Sequence, residues 1–124
     1  VAELVEAEGT NEEMAEFINP LADLGQKVEK LTMEIGMKAF QNPDEAGAAA
    51  VDYLRVIGHL VLGYFWARMA RLALEKQESG DPLYRSKLAT ARFYFAKLMP
   101  ETAALIRTAR AGAKPLMDVE VELF

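Results

Sequence analysis

The apolar positions of this chain recur with a helical period over most of its length. Met14, Phe17, Leu21, Leu24, Val28, Leu31 and Ile35 follow one another in alternating steps of three and four. That spacing puts them on one stripe of a helix facing a single partner. Thr10 with Glu13 three positions on makes a capping-box pattern at its start. Asn19-Pro20 interrupts the hydrogen-bond ladder without changing the phase, which predicts a kink or a restart capped by Asn19. Asn42 then caps a second helix, with Pro43, Asp44 and Glu45 suited to its first turn.

The second helix organises the rest. Tyr53–Leu74 is apolar on every side: Leu54, Ile57, Val61 and Tyr64 form one stripe, Val56, Leu60, Gly63, Ala67 and Ala70 a second, and Leu62, Trp66, Met69 and Ala73 a third. A helix apolar all round is expected to be buried. Its uncharged middle, Val56–Ala67, falls short of the ~20 residues a membrane span needs, so no transmembrane segment is expected. Ser79-Gly80-Asp81-Pro82 breaks the pattern. A third helix carries Tyr84, Leu88, Ala91, Phe95 and Leu98 at helical steps, with Arg85, Lys87, Arg92 and Lys97 opposite. Met99-Pro100-Glu101 starts a fourth, with Thr102, Leu105, Ile106 and Ala109 inward and Gly112 as its C-terminal glycine.

The expected fold is therefore all-α, a four-helix up-down bundle with helices over 12–41, 44–77, 82–98 and 100–112. Its core is expected to hold Leu24, Val28, Leu31, Ile35, Leu54, Ile57, Val61, Phe65, Leu88, Ala91, Phe95, Leu105 and Ile106. Residues 1–11 read as a lead-in, 12–116 as the bundle and 117–124 as an extended tail. The tail alternates Met117, Val119, Val121 and Leu123 with Asp118, Glu120 and Glu122, a strand-like pattern expected to be an extended arm lying on the bundle or loose in solution, the alternative being an arm docked on another chain or on a further domain.

Charge adds a second constraint. The net charge of −5 divides into −8 over residues 1–45, +6 over 46–117 and −3 over the tail. The acidic first part is expected to lie against the basic later helices. An acidic total with dispersed bases lacks the footprint of a nucleic-acid binder. With 124 residues, 52% hydrophobic and 27% charged, the chain is a single ordered domain. It begins at Val1 and is expected to be a segment of something longer.

Candidate chemistry is sparse. His59 is the only histidine and stands in an apolar setting, with Val56 where a Glu-x-x-His di-iron motif needs glutamate. There is no cysteine, so no thiol nucleophile and no thiolate metal site. The glycines form neither a Rossmann fingerprint nor a P-loop. Tyr64, Phe65 and Trp66 read as packing, and Arg55, Arg68 and Arg92 as interhelical ion-pair residues, with Asp52 a partner for one of them. No catalytic, cofactor-binding or metal-ligating residue is expected. If that inventory is incomplete, His59, Arg68 and the Tyr64–Trp66 cluster are the place to look.

The wording of the chain carries more. YLRVIGHLVLGYFWARMA from Tyr53 and YRSKLATARFYFAKLMPE from Tyr84, with LMD and a terminal Phe in the tail, resembles the extra C-terminal domain of bacterial acyl-CoA dehydrogenases. The likeness runs from about residue 20 to the end. It implies a cytoplasmic parent enzyme that binds FAD and oxidises an acyl-CoA to an enoyl-CoA, with its catalytic glutamate upstream. This segment would pack on the catalytic body of the parent chain, within a homo-oligomer. The alternative is a free-standing helical interaction module. A membrane-surface helix would need a one-sided apolar face and a Lys/Arg-rich polar face.

Overall fold

The computed structural model describes residues 1–124, which are helical with no strand. Helix α1 spans Ala2–Glu8, α2 Ala15–Gln41, α3 Asp44–Lys76, α4 Pro82–Phe93, α5 Thr102–Arg110 and α6 Lys114–Met117. The expected lead-in is thus a helix, and Leu4 anchors it in the core. Asn11, not Thr10, caps the turn before α2 by accepting from the Glu13 N–H at 3.1 Å. No restart occurs at Pro20, which lies inside a continuous α2. It falls early in the helix and costs one ladder hydrogen bond. Asn42 accepts from the Asp44 N–H at 3.1 Å, and Asp81 accepts from the Leu83 N–H at 2.9 Å. Gly80 and Gly112 both take positive φ, the left-handed geometry that ends a helix.

The expected third and fourth helices do not fold back on one another. Between α4 and α5 the chain passes through a π-helical turn, Tyr94–Leu98, and a 3-10 turn, Met99–Glu101. Leu98 and Met99 keep right-handed helical dihedrals, so the segment bends without reversing. Pro100 supplies the cause: it has no N–H for the carbonyl one turn earlier, and its ring crowds that carbonyl.

Side-chain pairs give the directions. Leu21 lies against Gly63 and Thr32 against Tyr53, so α2 and α3 are antiparallel. Lys76 over Tyr84, His59 on Tyr94 and Glu45 on the Ala113 N–H make α3 antiparallel to the bent α4–α5 segment as well. Glu16 pairs with Arg92 and Glu34 with Arg110, so α2 and α4–α5 advance in the same direction and in register. The long helix α3 therefore runs against both.

The core is built from α2 and from the small side of α3. Met14, Phe17, Leu21 and Leu31 are fully buried, as the α2 stripe predicts, whereas Ile35 is half-buried. On α3 the buried positions are Ala49, Val56, Gly63, Ala67, Ala70 and Ala73. Of the residues expected in the core, Leu54 is 71% exposed, Val61 47% and Phe65 48%, and Ile57 only partly buried. Small residues win the inside because they let three helices approach α3 closely. Gly63 shows it: an added Cβ would collide with the Met99 side chain and touch Leu21.

Helix α3 with its following turn, Asp44–Ser79, is long and apolar enough by length and composition to cross a membrane, which the shorter uncharged run was not. Only 17% of its most apolar window is buried. The other side of that window is an outward apolar face.

The tail is not extended. After α6, residues Val121–Leu123 form a 3-10 turn, and residues 114–124 are all exposed. Alternation makes a strand only where a neighbouring edge accepts its hydrogen bonds, and none is present.

Candidate functional site

The polar groups that meet between helices gather at one place. His59, half-buried on α3, has Nδ1 2.9 Å from the Tyr94 hydroxyl and Nε2 2.9 Å from Glu101 Oε2. The Tyr94 hydroxyl is also 3.0 Å from the His59 carbonyl oxygen. Arg55, one turn before His59, pairs with the other carboxylate oxygen of Glu101. Tyr94 opens the π-helical turn and Glu101 closes the 3-10 turn, so the bend itself presents both residues to α3.

This cluster is complete in either protonation state of the imidazole. With a neutral ring, Tyr94 donates to Nδ1 and Nε2–H donates to Glu101. With both nitrogens protonated, Nδ1–H donates to the Tyr94 oxygen while the Tyr94 hydroxyl turns to the His59 carbonyl. Burial pushes the Tyr94 hydroxyl up to about 12, so it remains neutral in both. The hydrogen bond from His59, helped by the Arg55 charge, holds the Glu101 carboxyl below its ordinary value. Trp66 stacks on Tyr94 with ring centroids 6.5 Å apart.

Every polar atom here is committed to the protein, which makes the cluster a clamp. General acid-base work needs a nitrogen or carboxylate within reach of substrate, and a groove nearby is lined by neither His59, Tyr94 nor Glu101; its Asp23 and Lys27 pair with each other. That groove, about 210 Å³, is bounded by Pro20, Leu24, Phe95, Met99 and Ile106. It is smaller than the ~300–1,000 Å³ usual for small-molecule sites; larger depressions, up to about 680 Å³, lie elsewhere on the surface, away from the cluster.

The other singled-out residues fall apart from the cluster. Arg92 holds Glu16 through two hydrogen bonds, and Arg110 likewise holds Glu34. Asp52 partners neither Arg55 nor Arg92, whose carboxylates are Glu101 and Glu16. Arg68 lies over the Tyr64 and Phe65 rings at 5.5 and 5.9 Å. Phe65 faces outward and Trp66 inward, so the three aromatics do not form one packing unit. Sequence reasoning missed Tyr94 and Glu101 as the partners of His59. It also missed Glu45, whose carboxylate accepts from the Ala113 N–H at 3.1 Å and ties the end of α5 to the start of α3.

A family model described as "Acetyl-CoA dehydrogenase C-terminal like" matches residues 1–120. The chain belongs to that family. The match includes residues 1–19, which the resemblance had set aside, and α1 packs accordingly on α2. No curated protein matches the chain. No set of three His, Cys, Asp or Glu side chains is grouped to hold a metal ion.

Proposed function

We propose that this chain is the C-terminal helical domain of an FAD-dependent acyl-CoA dehydrogenase and acts there as a structural and interface module. The observation that carries the reading is the family match over residues 1–120. The side chains support the division of labour. FAD needs an enclosed cleft with convergent polar donors, whereas the roomiest depression, about 680 Å³ beside Phe65, Arg68 and Glu75, is a shallow surface feature. The flavin, the acyl-CoA and the catalytic carboxylate accordingly belong to an upstream catalytic body, and no step of the oxidation is assigned to residues 1–124. We place the enzyme in the cytoplasm, as a homo-oligomer whose contacts include the outward side of α3. The test is to express the gene with any reading frame upstream of Val1. The longer product should carry flavin and reduce an electron-accepting dye when given an acyl-CoA. A longer product without either property would overturn the reading.

A further inference from the structure

The outward side of α3 is ordered, not scattered. Val51, Leu54, Val61, Phe65 and Leu72 are exposed and fall, with Gly58 and Arg68, on a strict heptad spacing. Leu62 and Met69 flank the stripe. From Val51 to Leu72 it is about 32 Å long at the helical rise, and sustained heptad spacing is the pattern of a helix that packs along another.

We propose that this stripe pairs with the same stripe of a second copy, antiparallel, about a two-fold axis between Val61 and Leu62. The proposal rests on the reading of the chain as an interface module and names the surface and its occupant. Three features select a second copy. About that axis Val51 meets Leu72, Leu54 meets Met69, Val61 meets Leu62, and Phe65 meets Gly58. Gly58 has nothing within 4 Å of where a Cβ would be, so it is a notch able to receive the ring. A shallow depression lined by Phe65, Arg68, Met69 and Leu72 lies where Val51, Leu54 and Gly58 of the second copy would arrive.

Charge selects the direction. The first nine residues of α3 carry Asp44, Glu45 and Asp52 without a base, and the last nine carry Arg68, Arg71 and Lys76 against Glu75. Antiparallel pairing sets the acidic start against the basic end and opposes the helix dipoles, whereas parallel pairing sets like on like. Arg68 has no ion-pair partner within its own chain, although its neighbours Arg55 and Arg71 do. In the pair it faces Arg55 of the second copy, a like-charge contact that Glu101, already bonded to Arg55 and His59, offsets only in part.

The absence of cysteine makes the pairing directly readable. Val61→Cys should cross-link to its own copy. Val51→Cys and Leu72→Cys should each fail alone and cross-link when mixed. Sedimentation of the chain should show a concentration-dependent dimer. Phe65→Asp should raise its dissociation constant by roughly 30-fold or more, the mark of a hot spot. Gly58→Leu should weaken pairing by filling the notch while favouring the helix. Unchanged circular dichroism would show that both variants still fold. Four results would overturn the proposal: a monomer at every concentration, self-cross-linking at all stripe positions, cross-links only to an upstream catalytic body, or flotation with anionic phospholipid vesicles that Phe65→Asp abolishes. Dye reduction by the longer gene product is a separate readout. A monomeric chain with an active longer product fails the pairing alone, and a dimer with a flavin-free longer product fails the enzyme reading alone.

Discussion

Glu34 and Glu101 each hold a cationic partner across a helix boundary, and both carboxyls sit below the ordinary 4.5. For Glu34 the main cause is the hydrogen bond from Arg110, and for Glu101 the one from His59. A depressed folded pKa means that the unfolded chain binds more protons in that window. The contribution is therefore complete above the unfolded value and is lost as pH falls through the lowered folded value. The urea midpoint should drop between pH 7 and pH 3, and the double variant Glu34→Gln, Glu101→Gln should drop less. An equal drop in both proteins would remove these two pairs from the acid response. The apolar setting of His59 was legible in the sequence because its neighbours are adjacent in the chain. Its partners Tyr94 and Glu101 were not, because the register between helices depends on how α3 meets the bend at Pro100.

Helix α3 has two apolar sides of different grain. Its stripes could be counted from the sequence, but apolarity alone does not say which stripe is inside. Close packing decides it: Ala49, Ala67, Ala70 and Ala73 leave room for neighbouring backbones, so the large side chains of Leu54, Val61 and Phe65 go outward. Ala67→Leu should then destabilise the chain by about 1–3 kcal/mol through overpacking. Leu54→Ala, measured at a concentration where the chain is monomeric, should change it by less than about 0.5 kcal/mol. Equilibrium unfolding of both variants checks this, and a larger loss from Leu54→Ala would reverse the two sides of the helix. The α2 stripe, by contrast, was read correctly from Met14 to Leu31, because over that stretch α2 is apolar on one side only; beyond it Met33, Met37 and Phe40 are exposed on the outward side.

Across the whole molecule, the charge asymmetry of the chain becomes geometry. Glu8, Glu16 and Glu34 from the acidic first part reach Arg71, Arg92 and Arg110 from the basic later part, as their distribution predicts. The all-α class and the long second helix were equally legible, since both follow from local period and breakers. The path after Leu98 was not. Proline ends one helical ladder in either a bend or a reversal, and the tertiary contacts of Tyr94, Met99 and Glu101 decide for the bend. What emerges is a helical module whose polar groups serve its own cohesion and whose long helix leaves an apolar side exposed. The most direct measurement is a flavin titration of purified Val1–Phe124, followed by absorbance and by acyl-CoA-dependent dye reduction. No bound flavin and no reduction above the protein-free rate are expected. Stoichiometric flavin, or reduction that follows the purified chain, would contradict it.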